Sequence, residues 1–178
     1  MTEPGMTQRS TVVLALGSNL GDRLASLQAA VDALGAGPGL DEVAVSPVYE
    51  TAPVGGPPQP DYLNAVLVAA TSLPPQAVLD RGRAAEAALG RVRGPRWGPR
   101  AIDVDVIAYG NETSGDPELT LPHPRAHERA FVLAPWHDVD PDAVIPGQGR
   151  EQVGHPAPPA GGVRLCPDAR LRPPGSPA

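Results

Sequence analysis

Two aspartates separated by a single residue are the strongest chemical signal in this sequence. Asp103 and Asp105 alternate with the aliphatic residues Ile102, Val104 and Val106. Because side chains alternate between the two faces of a strand, both carboxylates are expected to leave the same face. Like charges held this close repel one another unless a cation lies between or beside them. Taken alone, the pattern is compatible with a metal site that has both aspartates as ligands and with a solvated strand face.

An arginine-rich segment lies directly before this strand. Arg91, Arg93, Arg96 and Arg100 are separated by glycine, proline and a few other residues. A run of basic residues is most often a solvated surface loop. The chain as a whole carries a formal net charge of −6, however, so this segment would be a local cluster of positive charge that can bind an anion. Guanidinium groups bind phosphate oxygens in a bidentate manner. Together with the two aspartates, the segment favours a magnesium-bound polyphosphate as ligand.

The aromatic residues are few enough to be informative. The chain has one phenylalanine, two tryptophans and three tyrosines. Tyr62 and Asn64 share a parity on a predicted strand, so one side chain could stack on a flat heterocycle while the other hydrogen-bonds to its edge. Core packing is the alternative interpretation for each aromatic ring.

Composition excludes several classes of protein. All 14 basic residues are arginine, which rules out a P-loop lysine and a Schiff-base mechanism. The one cysteine, Cys166, predicts neither an internal disulfide nor a cysteine-rich zinc site. The acidic net charge argues against a nucleic-acid-binding protein. No apolar run is long enough to cross a membrane, and residues 1–10 lack the apolar core of a signal peptide, so we expect a cytoplasmic protein.

The hydrophobic pattern predicts the order strand, helix, strand, strand, helix, strand. This order is typical of a ferredoxin-like βαββαβ sandwich of the α+β class, with an antiparallel sheet and helices on one face. Residues 121–136 are expected to add C-terminal elements that pack on this core. The predicted strands are residues 11–16, 43–48, 62–70 and 102–109, and the predicted helices are residues 24–34 and 75–90.

The same pattern predicts three regions along the 178 residues. Residues 1–10 are expected to be a disordered N-terminus, and residues 11–145 the catalytic domain. Residues 146–178 are rich in proline and glycine and are expected to form an irregular tail without a catalytic role.

Four blocks, in order along the chain, resemble the 6-hydroxymethyl-7,8-dihydropterin pyrophosphokinase family. They are Leu16–Arg23, Ser46–Thr51 with Asp61–Ala65, Gly90–Tyr109, and Leu121–Phe131. The segment from Arg96-Trp97 to Asp103-x-Asp105 is the most specific of these. The resemblance implies transfer of diphosphate from ATP to the pterin hydroxymethyl oxygen, with release of AMP, in folate biosynthesis. It also implies an ATP co-substrate, two magnesium ions per site and a monomeric protein that binds neither nucleic acid nor membranes.

The resemblance further implies a role for individual residues. The catalytic residues would be Arg91, Arg100, Asp103 and Asp105, of which the two aspartates bind the metal. The nucleotide would be bound by Arg93 and His123. The pterin and its hydroxymethyl group would be bound by Thr51, Val54, Tyr62, Asn64, Trp97, Arg129 and Phe131. In this scheme Tyr62 and Phe131 sandwich the pterin ring, and Trp97 covers the site.

The residues alone leave two alternatives open. One is another magnesium-dependent nucleotidyl or glycosyl transferase that uses the same Asp-x-Asp pattern. The other is a non-catalytic ferredoxin-like ligand-binding module in which Asp103 and Asp105 are merely solvated.

Overall fold

An antiparallel sheet forms the centre of the computed structural model, which describes residues 8–53, 55–90, 101–147 and 162–177. Eight strands occur in these residues: β1 Ser10–Ser18, β2 Leu40–Val45, β3 Tyr49–Thr51, β4 Tyr62–Thr71, β5 Asp103–Tyr109, β6 Ser114–Asp116, β7 Leu119–Leu121 and β8 Arg164–Leu165. The main sheet has the order β5-β1-β4-β3-β8, and β2 also pairs with β4. All of its pairs are antiparallel, while β6 and β7 form a separate two-stranded ribbon.

Three α-helices cover this sheet in the described residues. They are α1 Arg23–Gly35, α2 Pro75–Ala88 and α3 Ala130–Val139, and a 3₁₀ turn, Ala126–Glu128, precedes α3. Asp22 caps α1 by accepting a hydrogen bond from the Ala25 backbone N–H (3.1 Å). At the start of α2, Pro75 occupies a position where the missing N–H is no loss.

One face of the sheet packs against α1 and α2. Val12, Leu14 and Leu16 recur at every second position of β1 and are buried there with Leu27 and Val31 of α1. The period of two in the strand and the helical spacing in α1 thus place the apolar side chains on facing surfaces. These contacts form the larger part of the core.

The opposite face of the sheet is partly covered by α3. Val132 and Trp136 of this helix pack against Val13, Val66 and Ile107 from three neighbouring strands. The extra C-terminal element expected for residues 121–136 is therefore present, and it lies on the face that α1 and α2 leave open. Because α3 covers only part of this face, the remainder is available for a cavity.

The second predicted strand, residues 43–48, is divided in the structure. β2 ends at Val45 and β3 begins at Tyr49, since Pro47 has no N–H to donate to a ladder. Ser46 bridges the gap: its hydroxyl oxygen accepts from the Val66 N–H and its hydroxyl group donates to the Pro47 carbonyl oxygen, both at 2.8 Å. β2 also begins earlier than predicted, at Leu40, with a register shift before Ala44.

Helix α2 lies very close to the strand that carries the acidic pair. Gly82 faces Val104, and a Cβ atom at residue 82 would lie 3.1 Å from a Val104 methyl carbon. One turn later, Glu86 is buried and its carboxylate accepts a hydrogen bond from the Val104 backbone N–H (2.9 Å). The small residue therefore permits the close approach, and the carboxylate satisfies a backbone donor at the outer edge of β5.

The C-terminal residues differ from the expected irregular tail. Residues 162–177 are mostly without regular structure, but Arg164–Leu165 adds the strand β8 to the sheet beside β3. Leu171 and Ala169 pack against the core, and the Arg172 N–H donates to the Gln28 side chain (2.8 Å). Local composition missed this pairing because it depends on a partner far away in the sequence.

The α+β class and the antiparallel sheet are confirmed by the structure. The ferredoxin-like description remains our interpretation of the element order, with β2 and β3 taken as two halves of one strand. The boundaries of the three predicted regions also stay predictions. Within the described ranges, no helix has both the length and the apolar character needed to cross a membrane.

The contact between α2 and β5 gives a test of the packing. Gly82→Leu should lower the free energy of unfolding by about 1–3 kcal/mol, because the added side chain pushes α2 away from Val104. Ala84→Leu is the matched control, since Ala84 is exposed on the same helix. Urea denaturation measures both variants. Equal stability of the two would contradict the tight approach seen at Gly82.

Candidate active site

A cavity of about 400 Å³ opens on the face of the sheet that α1 and α2 leave uncovered. Its volume is within the range of about 300–1,000 Å³ that small-molecule sites have. Strands β1, β4 and β5 form its floor, while the loop after β3 and the start of α3 form its walls. Of the sites predicted from sequence, Thr51, Tyr62, Asn64, Asp103, Asp105, Arg129 and Phe131 line it.

Asp103 and Asp105 lie together on the cavity floor. Val104, between them, points into the core on the other face of the sheet. Across the β1–β5 ladder, Asp103 is opposite Gly17 and Asp105 is opposite Ala15. Both partners are small, so the floor beside the two carboxylates stays low and leaves room for a ligand. The shared face predicted from the alternation is therefore confirmed.

Two arginines balance the acidic pair. Arg129, before α3, and Arg125, one short turn earlier, both line the cavity. Burial lowers the pKa of Arg129, while the charges of Asp105 and Asp103 act in the opposite direction and favour its protonated form. The Arg129 guanidinium carbon also lies 5.5 Å from the centre of the Phe131 ring, within reach of a cation–π interaction. The cavity thus holds carboxylates and guanidinium groups side by side, as a metal-bound polyphosphate requires.

His123 is held next to this charged group, although it is not among the residues that line the cavity. Its backbone N–H donates to the Ile107 carbonyl oxygen (2.8 Å), and its Nδ1 accepts from the Arg125 backbone N–H (3.2 Å). Burial, then the charges of Arg129 and Arg125, lower the pKa of His123 to about 4. With Nδ1 accepting, the neutral ring carries its proton on Nε2 and offers one hydrogen-bond donor at neutral pH.

Asn64 is oriented by buried hydrogen bonds at the other end of the cavity. Its Nδ2 donates to the Thr51 hydroxyl oxygen (2.8 Å) and lies 3.5 Å from the Tyr49 carbonyl oxygen. A Cβ atom at Gly17 would lie 3.5 Å from Asn64 Oδ1 and 3.5 Å from a ring carbon of Tyr62. The amide oxygen therefore faces the floor above Gly17, where a ligand with N–H groups at its edge can reach it.

Two aromatic residues line the end of the cavity that contains Asn64, and they come from different elements. Tyr62 begins β4 on the floor, and Phe131 lies in the first turn of α3. Helix α3 is tied to the sheet by a very short hydrogen bond from the Tyr49 hydroxyl group to the Asp138 carboxylate. Burial, followed by this hydrogen bond and the Asp138 charge, raises the pKa of Tyr49. The tie fixes the helix that presents Phe131 opposite the floor.

Several functional candidates escaped the sequence interpretation. Arg125 and Glu128 line the cavity, as do Gln59 and Val163. Glu86 of α2 contacts the backbone of Val104, between the two aspartates. A charged residue on the buried face of a helix was the sequence signal that could have identified it. Gln59 accepts a hydrogen bond from the buried side chain of Asn19 (2.9 Å).

The predicted residues of the arginine-rich segment cannot be placed. Arg91, Arg93, Trp97 and Arg100 lie outside the described residues, and so does Val54. Their roles stay predictions from the sequence.

The donor set fits a magnesium ion that is shared with a substrate. In the described parts of the chain, no three His, Cys, Asp or Glu side chains come together as a metal-binding group. Mg²⁺, however, is commonly bound by one or two carboxylates together with substrate phosphates and water. Asp103 and Asp105 on one side of a roomy cavity supply that number of ligands.

The lowered pKa of His123 predicts an acid-sensitive fold. The folded chain binds this proton only near pH 4, whereas the unfolded chain binds it near the ordinary value of 6.5. The free energy of unfolding should therefore decrease as the pH falls from 6.5 to 4, because the unfolded state binds more protons in this window. His123→Gln should weaken this dependence, as measured by urea denaturation between these pH values. His127→Gln, at an exposed position, is the control; equal pH profiles for both variants would contradict the prediction.

Comparison with known proteins identifies relatives of this chain. Residues 13–141 match the model of the family described as 7,8-dihydro-6-hydroxymethylpterin-pyrophosphokinase (HPPK). A 2-amino-4-hydroxy-6-hydroxymethyldihydropteridine pyrophosphokinase of Methylorubrum extorquens is 49% identical over 135 residues, which cover 76% of this chain and 85% of that protein. The protein of the same name from Mycobacterium tuberculosis strain H37Rv is 50% identical over 144 residues, covering 75% of this chain and 74% of the relative.

Solved structures agree on the fold. A crystal structure of wild-type Plasmodium falciparum HPPK-DHPS with SDX-DHP matches with a TM-score of 0.63 at 14% identity. The match covers 82% of this chain and 43% of that one, so this chain spans less than half the length of the Plasmodium protein. The family match over most of the chain and the identity to the curated relatives lead to one conclusion: the chain belongs to the 7,8-dihydro-6-hydroxymethylpterin-pyrophosphokinase family.

Proposed function

We propose that this protein is a 2-amino-4-hydroxy-6-hydroxymethyldihydropteridine diphosphokinase of folate biosynthesis. It transfers diphosphate from ATP to the hydroxymethyl group of 6-hydroxymethyl-7,8-dihydropterin and releases AMP. One observation carries the proposal: the acidic pair Asp103 and Asp105 shares a single cavity with the acceptor-binding group of Tyr62, Asn64 and Phe131. Family membership supports the same reaction.

The acceptor end of the cavity suits a pterin. In this proposal the pterin ring lies between Tyr62 on the floor and Phe131 on α3, which line the same cavity. Stacking on an aromatic ring contributes about 1–3 kcal/mol per base in nucleic-acid complexes. Asn64 presents its amide oxygen because Thr51 holds the amide nitrogen. This oxygen accepts from the N–H groups of the pterin edge, and the orientation disfavours rings that offer only acceptors there.

The phosphate end lies over the aspartates. Asp103 and Asp105 would hold magnesium there, and the ion would supply positive charge that neutralises the phosphates and makes the attacking hydroxyl group more acidic. Arg129 neutralises charge near the reacting hydroxymethyl group, and His123 offers its Nε2–H to a phosphate oxygen. The number of ions, two per site in our proposal, rests on the family resemblance.

The reaction needs positioning more than a strong base. The hydroxymethyl oxygen attacks the β-phosphorus of ATP, the bond from that phosphorus to the α–β bridging oxygen breaks, and AMP leaves with the bridging oxygen. The hydroxyl proton passes to solvent. Phosphoryl transfer of this kind depends mainly on alignment and charge neutralisation. Roles in closure and phosphate binding for Arg91, Arg93, Trp97 and Arg100 extend this proposal from the sequence. The monomeric state and cytoplasmic location likewise stay predictions.

A two-step titration tests the proposed function. Calorimetry with a magnesium complex of a non-hydrolysable ATP analogue, followed by 6-hydroxymethylpterin, should show binding of both ligands. With ATP and the dihydropterin, AMP should form in equal amount to the diphosphorylated pterin. Binding of the nucleotide with turnover of a different acceptor would favour another transferase, and binding of neither ligand would contradict an enzyme of this kind.

The acidic pair gives a sharper prediction. Asp105→Asn should lower the rate of AMP formation by about a hundredfold or more, because loss of groups that merely support a metal ligand already costs about 10–100-fold. The thermal unfolding midpoint should not fall, since the substitution removes a like-charge repulsion. Asp80→Asn makes the same charge change at an exposed position on α2 and should leave the rate unchanged. A wild-type rate for the Asp105 variant would refute the metal assignment.

A further inference from the structure

The C-terminal segment 162–166 lies against the acceptor end of the cavity. In β8, Leu165 is opposite Tyr49 and Arg164 is opposite Glu50 of β3. The Cys166 backbone N–H also donates to the Val48 carbonyl oxygen (2.8 Å). The segment is therefore fixed by backbone pairing directly beside the strand that leads to Thr51.

Charged side chains strengthen this attachment. The Glu50 carboxylate lies between two guanidinium groups, with Arg23 at 2.7 Å and Arg164 at 2.6 Å. Arg164 also lies 3.5 Å from the Asp61 carboxylate, and Arg23 donates to the Asp61 carbonyl oxygen (2.9 Å). The side chains of Glu50 and Arg23 are 23% and 31% exposed, so their ion pair is screened less than an ordinary surface pair, whereas Arg164 is 64% exposed and its pair with Glu50 is screened more.

These contacts hold the two ends of one loop together. Glu50 directly precedes Thr51, and Asp61 directly precedes Tyr62. Because Arg164 contacts both acidic residues, it joins the position where the loop leaves β3 to the position where the chain enters β4. Fixing both ends before the ligand arrives reduces the ordering that binding would otherwise require.

One residue of the segment reaches the cavity itself. Val163 lines it together with Ala52 and Pro53, and its side chain is half-buried. The tail thus contributes an apolar wall next to the loop that Arg164 secures.

We propose that segment 162–166 is a structural part of the acceptor subsite, with Arg164 as a positioning residue and Val163 as a wall of the pocket. Arg164 acts through Glu50 and Asp61 on the placement of Thr51 and Tyr62. This inference rests on the proposed function, because the subsite is the one assigned to the pterin. It concerns the acceptor end of the cavity and assigns no role to Asp103 or Asp105.

Charge reversal within the full chain tests the proposal. Arg164→Glu places a third carboxylate beside Glu50 and Asp61 and should raise the KM for the dihydropterin about fivefold to tenfold, a change that corresponds to losing ion pairs of this type. The kcat at saturating acceptor and the affinity for the magnesium–ATP analogue should stay within twofold of wild type. Arg170→Glu makes the same charge change at an exposed position of the same tail and should alter neither constant.

Two further variants separate positioning from a general loss of stability. Arg164→Lys keeps a cation beside Glu50 and should restore most of the acceptor affinity. Val163→Ala should raise the acceptor KM about twofold to threefold through lost apolar contact, without changing the thermal unfolding midpoint by more than the Arg170 control. An unchanged acceptor KM in Arg164→Glu, or an equal loss of acceptor and nucleotide affinity, would overturn the proposal. Absence of pterin turnover in the wild-type protein would instead contradict the proposed function.

Discussion

The electrostatic repulsion between Asp103 and Asp105 is the constraint on which the rest of the site depends. Two carboxylates on one face of one strand are stable only when positive charge is placed beside them. The fold places Arg129 and Arg125 there from the segment leading into α3, so the helix must lie on the same face of the sheet as the aspartates. In the proposed reaction, a magnesium–ATP complex at this site would complete the balance of charge.

The acidic pair also explains why the core is divided between the two faces of the sheet. The face opposite the aspartates is filled continuously by α1 and α2. On the aspartate face, the apolar cluster around Val132 and Trp136 covers only one end, and the remainder forms the cavity that contains Asp103 and Asp105. Full coverage of that face would bury the carboxylates without partners, at a large cost in free energy. The cavity is thus a consequence of charges that the fold cannot bury in apolar surroundings.

Local patterns in the sequence were sufficient for most of the fold and for the floor of the site. The period of two in β5 predicted the shared face of the aspartates, and helical spacing predicted α1. Features that depend on distant residues were not predictable in this way. Nothing near Arg164 indicates that Glu50, 114 positions away, is its partner, and proline and glycine around it suggested an irregular tail. Pro47 divides β2 from β3, but the hydrogen bond by which the Ser46 hydroxyl oxygen accepts from the Val66 N–H across the gap is equally invisible in local composition.

The hydrogen bond from the Val104 N–H to Glu86 limits the pairing of β5 with a strand from another copy of the protein. β5 lies at the end of the sheet order, where exposed backbone donors and acceptors offer a template for a further strand. At Val104 the backbone donor is already taken by the buried Glu86 carboxylate and is not available to a further strand. The strand that carries the acidic pair is thereby protected at this point from edge-to-edge pairing.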